Sequence, residues 1–302
     1  MKPHQNLTMR VRFWGTRGSI ATPGPGTNHF GGNTACIQLT TDSGQVLVLD
    51  CGTGMRPLGD HLLAERTGAI SAAILLTHTH WDHIQGFPFF APLFIPGNRL
   101  RVYGPQGANL SLHDALAGQM EHNYFPVQLD DVAAQIQYRN LEEGTYEIEG
   151  LRVRAQKMNH PTATLGYRFE SGPRSLCYLT DHEPYFEEIW RDGAAAGQLE
   201  SIRDAGDRRH AEFMQGAGVV IHEAQYTPEE YTAKRNWGHS TYVYAVRMAA
   251  AAGVARLILT HHDPSHDDAF LGRMESSAQE LAAELKSPMQ VTCAFEGCEV
   301  TV

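Results

Sequence analysis

Side chains able to hold a metal crowd into one short run, Ala73-Ile-Leu-Leu-Thr-His-Thr-His-Trp-Asp-His83, as His78, His80, Asp82 and His83. Positions i, i+2, i+4 and i+5 do not share a helix face. A loop leaving a strand end can turn all four to one point, and a divalent cation is what would gather them. Imidazole nitrogens and a carboxylate oxygen suit zinc first, and manganese or iron also, with zinc–nitrogen bonds of about 2.0–2.1 Å. The plainer use is a histidine-rich surface turn, in a chain with 16 histidines. Such a turn needs no apolar strand to deliver it.

The elements that must position these residues repeat one phrase. Leu75-Leu-Thr-His78, Tyr178-Leu-Thr-Asp181 and Ile258-Leu-Thr-His261 each end an apolar strand in threonine plus a metal-competent side chain. Strand ends are where α/β proteins place ligands, because the sheet is rigid and its rim open. Asn159-His160-Pro161 adds a further candidate after the strand Leu151–Ala155. The donors collected are His78, His80, Asp82, His83, His160, Asp181 and His261. They are too many for one zinc and suit two, with Asp181 bridging. His262 competes with its neighbour, and the match to the other phrases selects His261.

On Thr77-His-Thr-His-Trp-Asp-His83, His160, Asp181 and His261, in that order, the chain resembles the metallo-β-lactamase-fold hydrolases. Gly15-Thr-Arg-Gly-Ser19, Ile221-His-Glu-Ala-Gln-Tyr226 and Trp237-Gly-His-Ser-Thr241 make it most similar to the phosphodiesterase branch. That branch holds ribonuclease Z and the phosphonate-pathway cyclic phosphodiesterase. The resemblance implies an α/β fold, a four-layer αββα sandwich with a dinuclear metal site at one rim. His78, His80 and His160 would hold one cation, and Asp82, His83 and His261 the other. Two metals about 3.5–4 Å apart bring the pKa of a bridging water near neutrality and screen the phosphoryl oxygens. Asp82 is expected to orient that nucleophile. His239, hydrogen-bonded to Glu223, is expected to protonate the leaving group, the carboxylate raising the imidazole's pKa. Asn33, Thr34, Tyr226 and Trp237 are the candidate substrate contacts.

Composition sets the frame. The chain has 302 residues, 42% hydrophobic and 19% charged, with a formal net charge of −10. That balance disfavours an extended polyanion, so a small or cyclic phosphodiester is expected and extended nucleic acid is not. Residues 182–217 are shorter and more acidic than the RNA-gripping arm of ribonuclease Z. No apolar leader or membrane span is read, and the odd number of cysteines without CxxC spacing fits a reducing cytoplasm. One domain is expected, with residues 1–8 a loose leader. Helices are expected over Pro57–Arg66, Gly107–Met120, Ser240–Ala252 (capped by Ser240) and Asp267–Leu285, with a helix-prone stretch from Glu183 to Gln215. Many members of the branch are dimers, and the apolar segment after His83 offers a homodimer contact. The competing functions are a lactonase or thioesterase of the same fold, a tRNA 3′-processing endonuclease, and a non-catalytic metal-bound sensor.

Overall fold

Alternation along the central strands sorts their side chains between two different cores. Val46 and Val48 face one apolar cluster and Leu47 and Leu49 another. The same division separates Ala72 and Ile74 from Ala73 and Leu75. In the second half of the chain it separates Cys177 and Leu179 from Leu176 and Tyr178, and Leu257 and Leu259 from Ile258. Strands buried on both faces read as unbroken apolar runs, which is how these runs appear in the sequence.

The structure, a computed structural model, describes residues 7–65, 68–107, 110–185 and 197–302. The first sheet holds β1 (Met9–Gly15), β2 (Cys36–Thr41), β3 (Val46–Leu49), β4 (Ser71–Leu75), β5 (Arg99–Pro105) and β6 (Gln135–Leu141). The second holds β7 (Gly144–Ile148), β8 (Leu151–Lys157), β9 (Leu165–Ser171), β10 (Arg174–Leu179), β11 (Val219–Glu223), β12 (Arg256–Thr260) and β13 (Gln290–Cys293). The last strand, β14 (Glu299–Thr301), returns to pair with β1, giving the order β14-β1-β2-β3-β4-β5-β6. The second sheet runs β13-β12-β11-β10-β9-β8-β7. Both sheets change from antiparallel to parallel pairing part-way across, at β3 and at β10.

Three apolar clusters define the layers. One lies between the sheets and includes Phe13, Leu47, Tyr167, Ile221 and Ile258. Another packs α1 (Met55–Glu65), through Leu58 and Leu62, on the first sheet. The third packs α4 (Ala205–Met214), α6 (Tyr242–Ala251) and α7 (Asp268–Glu284) on the second. The architecture is therefore a four-layer αββα sandwich. Two short helices complete the site's surroundings, α2 (Trp81–Ile84) and α5 (Pro228–Tyr231), with α3 (Leu112–Gly118) on the first sheet's outer side.

Several boundaries differ from expectation for local reasons. The helix expected over 107–120 is confined to α3, because the Ser111 side chain caps it by accepting the Asp114 N–H. The cap of α6 is Thr241 rather than Ser240, which instead donates its N–H to the Glu223 carboxylate. Of the leader expected over 1–8, residues 1–6 lie outside the described residues, and Leu7 is buried with its N–H donating to Ser171 Oγ. Part of the stretch Glu183–Gln215 lies outside the described residues, and α4 occupies its end. All five cysteines are free. Among the described residues no helix is long and apolar enough to cross a membrane.

Candidate dinuclear metal site

The loops after β4, β8, β10 and β12 bring all seven sequence-selected donors to one rim. His78, His80, His160 and Asp181 present ligand atoms within 4.8 Å of one another, as do Asp82, His83 and His261. Asp181 reaches both groups. Its Oδ2 lies 3.3 Å from His78 Nε2 and 3.7 Å from His160 Nε2, and its Oδ1 lies 3.3 Å from His83 Nε2 and 3.2 Å from His261 Nε2.

The second group has the dimensions of a tetrahedral metal site. Ligands about 2.0–2.1 Å from a common centre stand about 3.3 Å apart at the corners of a tetrahedron. His83 Nε2 and His261 Nε2 are 3.2 Å apart. Asp82 Oδ2 is 3.3 Å from His83 Nε2 and 3.1 Å from His261 Nε2. With the two Asp181 distances, the edges match a metal cage. In the first group His160 Nε2 is 3.1 Å from His80 Nδ1, and the buried His78 Nε2 has no hydrogen-bond partner.

Four of the five imidazoles, those of His78, His83, His160 and His261, are oriented through the far nitrogen. His83 Nδ1 donates to Asp50 Oδ2 at 2.9 Å, His160 Nδ1 to the Gly238 carbonyl at 2.8 Å, and His261 Nδ1 to Gln225 Oε1 at 3.0 Å. Thr77 Oγ1 gives its hydrogen to Asp50 and so accepts from His78 Nδ1 at 3.1 Å. Those bonds fix the tautomers that leave Nε2 lone pairs facing the site. Gly238 must be glycine here, with φ +87 and His160 Nδ1 2.2 Å from where a Cβ would stand.

The buried carboxylates and imidazoles shift one another's protonation. Burial pushes the Asp181 carboxyl up, but His261, His83 and His78 overcome that and hold its pKa well below the ordinary carboxylate value. Asp82 behaves alike: burial opposes, and His83 and His261 prevail. Burial works equally against charge on His83, yet Asp181, Asp82 and Asp50 raise its pKa well above 6.5. A divalent cation bound among these donors releases those protons.

Sequence reasoning missed several supports. Asp50, at φ 57, accepts the Thr77 N–H at 2.7 Å and the Tyr178 hydroxyl at 2.8 Å besides His83. Its signal was present, since Val46-Leu-Val-Leu-Asp50 is another apolar strand ending in an acid. The Gly15–Ser19 loop buttresses the ligands: the Ser19 N–H donates to Asp82 Oδ2 at 2.8 Å, and Gly18 packs on the His261 ring. His262 turns away to the Ala294 carbonyl.

The expected pairing of Glu223 with the His239 ring is corrected by the structure. Glu223 is fully buried and accepts the backbone N–H groups of Ser240, Gln225 and His182 at 2.5, 3.1 and 3.3 Å. It therefore holds the backbone on the far side of His239 and beside Asp181, while burial lifts its own pKa to about 8. The His239 ring stacks on His261 at 5.0 Å, with Nδ1 4.0 Å from Asp181 Oδ2. Among the described residues that buried nitrogen has no hydrogen-bond partner, and burial pushes the ring's pKa down to about 3.

Of the candidate substrate contacts, Thr34 is buried and exchanges hydrogen bonds with Thr53, and Asn33 is bound to Glu296. Tyr226 is buried, edge-on to His239 at 5.9 Å. These three make contacts within the protein. Trp237 alone presents an exposed ring, 58% accessible, and Trp81, missed in the sequence, is 71% accessible beside His80.

Behind the site lies a second histidine group. The Asn159 N–H donates to His182 Nδ1, so His182 Nε2 donates to the Tyr244 hydroxyl, which donates to Asp207. His182 stacks on His210 at 3.9 Å, and His210 Nε2 lies 2.8 Å from His222 Nε2. His222 gives its Nδ1 hydrogen to the Glu223 carbonyl, so His210 is the donor between them.

The profile of the Beta-lactamase superfamily domain matches residues 46–262. The chain belongs to that superfamily. This superfamily member is a metal-dependent hydrolase, with His/Asp clusters suited to divalent cations. A ribonuclease Z from Bacillus thuringiensis (strain Al Hakam) is 28% identical, the match covering 92% of this chain and 98% of that one. Two solved structures share the fold. A diphosphatase from the PhnP family superposes with a TM-score of 0.63 at 19% identity, covering 98% of this chain and 97% of its own. The short form of human tRNase Z gives 0.60 at 20% identity, covering 96% and 98%.

Proposed function

We propose that this superfamily member hydrolyses phosphodiesters at the rim where its two donor groups meet. The observation that carries the reading is the His239 ring, stacked on the candidate donor His261 with a buried nitrogen that no atom of the described residues satisfies. A buried polar atom is costly without a partner, and a phosphoryl or leaving-group oxygen is the partner that this place suits. Relatives in sequence and fold carry names that include ribonuclease and diphosphatase activity.

His78, His80, His160 and Asp181 would hold one divalent cation, and Asp82, His83, His261 and Asp181 the other. When bound, such cations supply Lewis acidity toward phosphoryl oxygen and water. Zinc is favoured by donor type and edge length, with manganese or iron compatible. Asp82, beside His83 and His261 and anchored by the Ser19 N–H, orients the attacking water. His239 is neutral in the free protein at pH 7, since burial holds its pKa low. An anionic diester beside Nδ1 raises that pKa, so the imidazole takes up a proton with the substrate and gives it to the departing oxygen. Glu223 contributes by clamping Ser240 and His182, which fixes where His239 and Asp181 stand.

The net charge of −10 supports a small or cyclic diester, while the ribonuclease Z relatives support RNA. The free cysteines fit a cytoplasmic protein. Side-by-side assay of bis(4-nitrophenyl) phosphate, a cyclic nucleotide, a precursor tRNA and a lactone tests the reading. We expect diester cleavage to exceed lactone opening, with the small diesters turned over. A lactone preference would contradict the phosphodiesterase reading, and exclusive action on precursor tRNA would contradict the small-substrate part.

A further inference from the structure

Against His160 opens a cleft of about 720 Å³, within the usual size of small-molecule sites, about 300–1,000 Å³. Its remaining walls include Pro161, Pro184, Tyr185, Tyr231, Arg235 and Asn236. The metal chemistry uses none of these side chains.

The cleft is built, because one wall is held by a dedicated clamp. The buried Glu183 carboxylate accepts the Tyr231 hydroxyl at 2.8 Å, the Asn236 N–H at 2.6 Å and the Gly238 N–H at 2.8 Å. Gly238 in turn offers its carbonyl to His160, and His239 follows. Asn159, at the opposite wall, donates its side-chain N–H to the Glu183 carbonyl. The loop from Tyr231 to Gly238 is thus tied to the metal rim. It carries Trp237 into solvent with Lys234 Nζ 4.1 Å from the ring centre.

The lining defines the occupant. Proline and tyrosine faces suit a flat ring, and the tyrosine tips and Asn236 can hydrogen-bond a polar edge. Arg235 adds a cation that favours a π system and an attached anion. An aliphatic ester would need neither. We propose that this cleft seats one nucleoside of the diester, its base among Tyr185, Tyr231 and Arg235 and its phosphate at the metal rim. The assignment rests on the phosphodiesterase reading and names the substrate class as nucleotide-type.

Binding separates the two claims. The metal-loaded protein is titrated with adenosine 5′-monophosphate and with ribose 5-phosphate, which lacks the base, by calorimetry and tryptophan fluorescence. The base-bearing ligand binds about 5–150 times more tightly, as base–aromatic stacking of about 1–3 kcal/mol predicts. Tyr185→Ala and Arg235→Ala, both at exposed positions, reduce that preference; Tyr185→Ala leaves ribose 5-phosphate unchanged, while Arg235→Ala also weakens it through the lost cation. Equal binding of the two ligands, or a preference that neither substitution alters, overturns the assignment. RNA affinity that climbs steadily with strand length overturns the limit of one nucleoside. Failure to cleave any diester, with the base preference intact, overturns the phosphodiesterase reading and leaves the nucleoside site standing.

Discussion

At Asp50 one buried carboxylate serves the Thr77 backbone and hydroxyl, the His83 ring and the Tyr178 hydroxyl. Removing it strands three donors and frees His83 to turn. Asp50→Ala therefore weakens metal binding by about 10–100-fold, the usual effect of losing a ligand's supporting partner. Titration with a chelating indicator checks this, and unchanged affinity would show that His83 is held by packing alone. His239 makes a different prediction: its ring stands with Asp181 and His261 as a third candidate donor group, but the two groups around Asp181 are complete without it. His239→Ala keeps both metals and loses about 10²–10⁴-fold in turnover of diesters with poor leaving groups. A nitrophenyl diester, which departs unaided, suffers less. Equal losses on the two substrates would remove His239 from the role of proton donor.

At the scale of elements, ligand geometry depends on how strands end. Asp50, Asp181 and His261 follow β3, β10 and β12 with φ of 57, 55 and 60. Non-glycine residues in that region cost about 1 kcal/mol or more each, and here the turn aims each side chain at the rim. The glycine-rich loop after β1 closes the other side. An alanine Cβ at Gly18 would stand 2.2 Å from the His261 ring, so Gly18→Ala displaces that ring. The expected outcome is loss of the metal among Asp82, His83 and His261 with the other retained, read as stoichiometry per chain. Retention of both would show that the loop yields. The metal-bearing strand ends were legible because an apolar run plus threonine plus ligand is a local signal. Asp50 carried nearly the same signal, but the following Cys51-Gly-Thr-Gly54 reads as a hairpin end and hid it. Glu223 and His239 were legible as residues and not as a pair, because sequence cannot say whether a carboxylate meets a ring or the next backbone N–H. The His182, His210 and His222 group depends on α4 docking beside β11, and no local pattern announces that.

At the scale of the molecule, two sheets packed face to face through one apolar layer deliver these strand ends to a common rim, with helices sealing the outer faces. The buried histidines behind the rim give the fold an acid limit. Burial pushes His222 down to about 4, and lowers His210 and His182 well below 6.5. Below pH 6.5 the unfolded chain binds protons that these folded imidazoles refuse. Stability therefore falls from about pH 6.5 toward pH 4, by about 1.4 kcal/mol per pH unit for each such group. Urea unfolding across that range checks the slope, and a flat profile would contradict it. Glu223 acts on the other side: its carboxyl is lifted from 4.5 to about 8, so its contribution is lost as pH rises across that interval. The account as a whole stands on two cations sharing Asp181. Anomalous diffraction from zinc-loaded crystals locates them directly. Two peaks are predicted, one among His78, His80, His160 and Asp181 and one among Asp82, His83, His261 and Asp181. A single peak, or ions held away from Asp181, would contradict it.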